Sequence, residues 1–271
     1  MLTIASLHIY PVKSCKGIAL QRGLLTDKGF QHDREWLIVR EDGRFITQRE
    51  HPRLALIATA IDAAALTLRA PGMQPLIVPL AERGASVQVT CWKDLCAAHD
   101  AGDMAANWLT DFLGAPHRLV RFDPAHRRVS DPRWTGEHEA LTEFSDAFPW
   151  LIISNASLAE LNSRLPKALP MNRFRPNIVI DGAGAYDEDR FDELRLRDAR
   201  FKIVKSCTRC IVTTTEQTSG ERDGVEPIRT LTAYRMDREL KGVIFGQNAI
   251  ALAGIGTEIA VGDSCTASWR G

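Results

Sequence analysis

The 271 residues carry 34 basic and 34 acidic side chains, a formal charge of zero, so the chain lacks the basic excess that nucleic acid or an anionic membrane selects. Its 45% hydrophobic and 25% charged residues are those of a globular protein, and no run approaches the roughly 18 apolar residues of a membrane span. Six cysteines are too few and too scattered for a disulfide scaffold, and the first ten residues lack a signal-peptide pattern, so a cytoplasmic protein with reduced thiols is expected.

In chain order, Leu2 to Tyr10 alternates apolar and polar residues and reads as a strand. It is closed by Pro11 and the polar turn Val12 to Gly17. Ile18 to Leu25 and Glu35 to Val39 are strand-like, and Glu41-Asp42-Gly43-Arg44 is a hairpin signal that returns as a strand over Arg44 to Gln48. Short β-rich pieces follow over Leu54 to Leu68, Gln74 to Leu80 and Ser86 to Thr90. Asp103 to Gly114 predicts a helix with an acidic N-cap and a glycine stop. Beyond Leu119 to Phe122 the chain turns polar from Asp123 to Glu143, which places a domain boundary near residue 125.

The second half opens with the strand Trp150 to Ile153 and a helix over Ser154 to Asn162, in which Ser157 and Glu160 make a capping box. Pro176 to Ile180 is a buried strand. Leu194 to Leu196 and Phe201 to Val204 form a hairpin that runs into Lys205-Ser206-Cys207-Thr208-Arg209-Cys210. A β-branched run, Ile211 to Thr215, continues the strand, and a polar loop covers Glu216 to Glu226. A helix begins near Pro227, and strands close the chain over Phe245 to Ala253 and Ile259 to Asp263. Many short strands and few helices predict an α+β, strand-dominated chain with a barrel or sandwich, not a doubly wound sheet.

The chemistry concentrates at Cys207 and Cys210. A C-x-x-C serves as a redox dithiol, as half of a tetrahedral metal site, or as one reactive thiol beside an inert one. A following strand argues against the dithiol, which works best at a helix start. A zinc site would need Cys91 and Cys96 as its second half, and two core thiols remain the plain alternative. Lys13, Ser14 and Lys16 lie in a glycine-closed turn able to present donors to a phosphate. Arg173-Phe174-Arg175-Pro176-Asn177 sets arginines and an amide against an extended segment, a donor set suited to a planar group bearing phosphate.

These pieces together resemble a known family. Tyr10 to Gly17, Asp33 to Trp36, Arg49 to Leu54, Phe174 to Asn177, Cys207 to Cys210 and Phe245 to Asn248 occur in the order seen in MOSC proteins, which take their name from the C-terminal module of molybdenum-cofactor sulfurase. The likeness extends over nearly the whole chain and is strongest to the amidoxime-reducing components. It implies an N-terminal β-rich MOSC domain over residues 1–124 and a C-terminal MOSC β-barrel over 125–271. It also implies a molybdopterin-type molybdenum cofactor between them, with Cys210 as metal ligand and catalytic residue. Lys13, Ser14, Arg34, Arg175, Asn177, Thr208 and Arg209 match positions that hold the pterin and its phosphate. A thiolate is a soft ligand suited to such a metal, and Arg209 beside it favours the thiolate form.

The activity implied is reduction of N-hydroxylated compounds (hydroxylamines, amidoximes, N-hydroxylated bases) by oxygen-atom transfer to molybdenum. Pyridoxal phosphate is not expected. Two departures from the family pattern stand out. Ser206 replaces the usual proline before the motif, removing a rigid φ restraint. The ferredoxin-like extension of some relatives is missing, with Cys265 alone after the motif, so no iron–sulfur cluster is expected. Electrons would then come from a separate ferredoxin-, flavin- or cytochrome-type donor protein. Two other readings remain open at the level of sequence: a cofactor carrier or sulfur-transfer protein using Cys210 as a persulfide, and a zinc-stabilised binding domain.

Overall fold

Strict alternation along the first strand, Leu2–Ile9, would put Ile4, Ser6 and His8 on one face. A bulge between Ile4 and Ser6 shifts the register by one residue, so that Ile4, Leu7 and Ile9 all face inward and are buried. Each such apolar side chain contributes about 1.5–3 kcal/mol by leaving water. The strand lies at the centre of the structure, a computed structural model that describes residues 1–270.

Seven strands close into a barrel, in the order Trp150–Ser154, Ile178–Asp181, Leu2–Ile9, Ser264–Trp269, Phe191–Leu196, Ala199–Thr208 and Gly242–Ala253, the last pairing back onto the first. Neighbours are antiparallel except Trp150–Ser154 and Ile178–Asp181. Closure brings backbones together tightly. Gly246 sits at φ +80°, and a Cβ there would lie 2.6 Å from the Ile153 side chain, so only glycine fits this crossing. The barrel core holds Leu7, Trp150, Phe191 and Phe201.

The N-terminal half supplies a four-stranded sheet, ordered Trp36–Val39, Arg118–Phe122, Asp94–Asp100, Ser86–Cys91, and a three-stranded one, Ala58–Ile61, Ala65–Arg69, Leu76–Pro79. The helix Asp103–Leu113 packs Trp108, Leu109 and Phe112 into a core shared with Trp36 and Leu54. In space the strands Leu2–Ile9 and Ile18–Leu20 belong to the barrel built from residues beyond 150. The two parts therefore interdigitate across the sequence division near residue 125. Among the described residues, no helix is long and apolar enough to cross a membrane.

Several local expectations are corrected. The stretch after Cys210 is not a strand: the barrel strand ends at Thr208 and Ile211–Thr214 is a 3₁₀ turn. The reason is local, because the Thr213 and Thr214 hydroxyls donate back to the carbonyls of Cys210 and Ile211 and stabilise the turn. The helix expected over Ser154 to Asn162 starts at Asn155, with Ser154 as N-cap accepting the Ser157 N–H, so the Ser157–Glu160 capping box does not form. Ser157 instead bonds the buried Glu188, and Glu160 pairs with Arg164. Gly102, not an acidic residue, caps the helix at Asp103. Ile18 to Leu25 is split into two strands, and residues 44 to 48 make isolated bridges only.

Candidate functional site

One cleft lies where the turn after the first barrel strand meets the ends of three others. It is lined by all eight residues singled out from the sequence: Lys13, Ser14, Arg34, Arg175, Asn177, Thr208, Arg209 and Cys210. They come from segments up to 197 residues apart in the chain, taking position 13 from position 210. Three of them, Ser14 (φ 69°), Arg34 (φ 55°) and Arg175 (φ 57°), adopt the left-handed conformation that non-glycine residues rarely take. Such strain persists only where surrounding structure holds it, and it concentrates at working sites.

The floor is a buried network around Tyr10. Its ring takes the Arg34 guanidinium at 4.4 Å and that of Arg175 at 4.1 Å, and its hydroxyl donates to the Pro176 carbonyl. Burial pushes the Tyr10 phenol up to about 12. Asp33 accepts from the Tyr10 N–H and from Arg34 and Asn177. Burial opposes the Arg34 charge, but the combined pull of Asp33, Tyr10 and Asp146 outweighs it and holds this guanidinium above its ordinary value.

Arg175 fares differently. Burial lowers it to about 10, with Tyr10 opposing and Arg34 adding to the fall. It makes one side-chain donor bond, to the Cys15 carbonyl at 2.7 Å, and an arriving anion would favour its charged form further. Asn177 has nothing left to offer a ligand. Its amide donates to the His8 carbonyl and Asp33, and its oxygen accepts from Arg34 and the Leu151 N–H. It is a strut of the cleft wall, and Arg34, bonded to Asp33, Asn177 and the Arg175 carbonyl, is largely one too.

Lys13 is buried, with its ammonium on the Phe144 carbonyl at 2.7 Å and on Asp146. The surrounding protein opposes the charge of the exposed Asp146, but Lys13, with Arg49 and Arg34 behind it, holds this carboxyl well below the usual carboxylate range. Asp146 therefore stays ionised. Arg128 fixes its segment, donating to the carbonyls of Glu143, Ser145 and Asp146.

The two thiols are half-buried and free, whereas Cys15, Cys91, Cys96 and Cys265 are buried. Arg209 was expected to serve Cys210, but its guanidinium donates to the Cys207 sulfur at 2.9 Å and to the Phe174 carbonyl at 2.7 Å. Arg222 lies within electrostatic reach of Cys210, and burial holds its guanidinium below the ordinary value. It ties the 3₁₀ turn to the N-terminal half through the carbonyls of Ile211, Gln48 and Arg49. Its loop reads as solvated in sequence, and no spacing marks it. Arg49, Ser145 and Asp146 also line the cleft, and only Arg49 lies within a stretch the sequence singled out.

The donor set defines what fits. Lys13, Arg34, Arg49, Arg175 and Arg209 face a single carboxylate, Asp146, along the lining. Two buried polar atoms, Arg209 Nε and Ser145 Oγ, have no partner, which is costly unless a ligand supplies one. A polyanionic group rich in acceptors meets these needs, with Cys210 as a soft donor at one end. The zinc arrangement does not form. Cys91 and Cys96 pack into a separate core with Leu37 and Phe122, burial raising both thiols, Cys96 to about 11. Among the described residues, no three His, Cys, Asp or Glu side chains converge for a metal; a metal delivered within an organic cofactor needs only one.

The sequence matches two family profiles, the MOSC N-terminal beta barrel domain over residues 1–116 and the MOSC domain over residues 140–266. It is 39% identical to the human mitochondrial amidoxime-reducing component 1, over 96% of this chain and 81% of that protein. The mouse protein of the same name is 37% identical over the same shares. The human mitochondrial amidoxime reducing component 2 is 37% identical over 88% of this chain and 75% of its own length.

Proposed function

This chain belongs to the MOSC family, in its group of amidoxime-reducing components, and from that premise we propose that it is a molybdenum-cofactor-dependent reductase of N-hydroxylated compounds. The reaction is R–NH–OH plus two electrons and two protons giving R–NH₂ and water. The observation that carries this reading is the convergence of the eight residues on one cation-rich cleft.

In this reading Arg175, Arg209, Arg49 and Lys13 bind the phosphate and pterin of a molybdopterin-type cofactor, with Ser14, Thr208 and the orphaned Ser145 hydroxyl completing its polar contacts. Tyr10, Asp33, Arg34 and Asn177 hold those groups in place. Cys210 would supply the thiolate, on a turn held by the hydrogen bonds that Thr213 donates to the Cys210 carbonyl and Arg222 donates to the Ile211 carbonyl. When bound, the cofactor supplies the two-electron chemistry that cleaves the N–O bond, and the protein provides orientation and electrostatics. Electrons come from a separate donor protein of ferredoxin, flavin or cytochrome type, and a cytoplasmic setting belongs to the same reading.

The test is reduction of hydroxylamine and benzamidoxime by cofactor-loaded protein with an artificial electron donor. Turnover of both is expected. Molybdenum-loaded protein that reduces neither overturns the reading and favours a carrier of the cofactor.

A further inference from the structure

A second cavity, of about 880 Å³, shares the wall Asp146, Ala147 and Phe148 with the cofactor cleft, and its volume suits a small organic ligand. We infer that it is the recognition subsite for the organic part of the substrate, and that it takes a planar aromatic group carrying an anionic substituent. This inference rests on the cleft next door being the redox site.

The aromatic character comes from Trp92, Trp134, Phe45 and Phe148. Trp92 is held in the left-handed conformation (φ 59°), 39% exposed, with Phe45 edge-on at 5.0 Å and the Arg49 guanidinium 4.5 Å from its ring. Its indole N–H reaches Asp146, which lines both cavities, at 3.3 Å. A bulky side chain in that backbone region is costly, and here the cost keeps an indole at the mouth instead of in a core.

The polar groups settle the sign of the substituent. Arg128 is neutralised by Asp94, Arg133 by Asp131, and Asp146 by Lys13. Among the described residues this leaves Lys93 and Lys205 as lining cations without a carboxylate within ion-pair distance. The Lys205 ammonium lies over the Trp134 ring, 4.6 Å from its centroid, so the cation covers one face of the indole. Independently, Thr142 lines this cavity, is 1% exposed as a residue, and its buried hydroxyl has no hydrogen-bond partner. A buried hydroxyl without a partner is expensive, and a ligand acceptor would resolve it.

The test titrates 4-carboxybenzamidoxime into wild-type protein and into Trp134→Leu, Trp134→Phe, Lys205→Met and Thr142→Val, by calorimetry, with and without cofactor. Loss of a stacking surface is expected to weaken binding about tenfold in Trp134→Leu and much less in Trp134→Phe. Lys205→Met should weaken this ligand severalfold and leave uncharged benzamidoxime unaffected, and Thr142→Val should weaken both a few-fold. Hydroxylamine is too small to reach the subsite, and its turnover should be unchanged in all four. No saturable binding to the wild type overturns the inference, as does an equal loss for the charged and uncharged ligands in Lys205→Met. Binding with this pattern in a cofactor-loaded protein that reduces neither hydroxylamine nor benzamidoxime would leave the subsite standing and remove the redox reading instead.

Discussion

The Arg209 guanidinium donates to the sulfur of Cys207, 2.9 Å away, so the arginine between the two thiols serves the one that is not the expected metal ligand. Cys207 acts as an anchor for Arg209, whose other terminal nitrogen holds the Phe174 carbonyl. Cys207→Ala should therefore lower reductase turnover only a few-fold and leave cofactor content intact. Cys210→Ala should lower turnover by at least a hundredfold. Steady-state kinetics beside cofactor analysis of both variants checks this.

Arg222 bridges the turn after Cys210 to the carbonyls of Gln48 and Arg49. Charge-assisted hydrogen bonds of this kind contribute about 1.5–3 kcal/mol each, and the carbonyls left behind can rehydrate in part. Arg222→Met should lower unfolding stability by about 2 kcal/mol. It should also raise the rate of cofactor loss on dilution. Urea denaturation and the time course of metal loss provide the two readouts.

Asn177 satisfies Asp33, Arg34 and the Leu151 N–H at once. Asn177→Ala leaves all three short of a partner and should destabilise the protein by about 3 kcal/mol. Asn177→Asp sets a second carboxylate against Asp33 and should be no better. Thermal and urea unfolding of the two variants would show it.

Glu143 provides a pH test. Burial, reinforced by Glu35 and opposed by Lys28, raises its carboxyl to about 8 from an ordinary 4.5. The folded state thus holds a proton that the unfolded chain releases near 4.5, so this stabilisation is complete below that pH and is lost as pH rises through about 8. Glu143→Gln should match the wild type at pH 4.5 and melt higher at pH 8, by roughly 3 °C or more. Differential scanning calorimetry across that window would reveal an opposite slope if the carboxyl were ionised throughout.

The strand-dominated class was legible because its signals are local: Leu2–Ile9 mixes apolar and polar residues along its length, and Trp36–Val39 and Trp150–Ser154 are short, continuous apolar runs. The strand Asp94–Asp100 was not, since its Asp-Leu-Cys-Ala-Ala-His-Asp is weakly β-forming and is held by pairing with Ser86–Cys91. The turn after Cys210 was misread because threonine hydroxyls override the β-preference of a branched run. At the site, resemblance supplied the eight residues, but not how they divide. Asn177 and Arg34 read as ligand donors until their hydrogen bonds show them spent on the wall. Arg222 and Asp146 sit in polar stretches without pattern, and only the tertiary fold brings them to the thiols and Lys13.

The central claim, that Cys210 supplies the protein thiolate to molybdenum, is tested most directly by counting sulfur ligands at the metal. X-ray absorption at the molybdenum edge would do so on protein purified from a cofactor-producing host. The account predicts one sulfur fewer in Cys210→Ala and an unchanged count in Cys207→Ala. A count that falls in Cys207→Ala and holds in Cys210→Ala would contradict it.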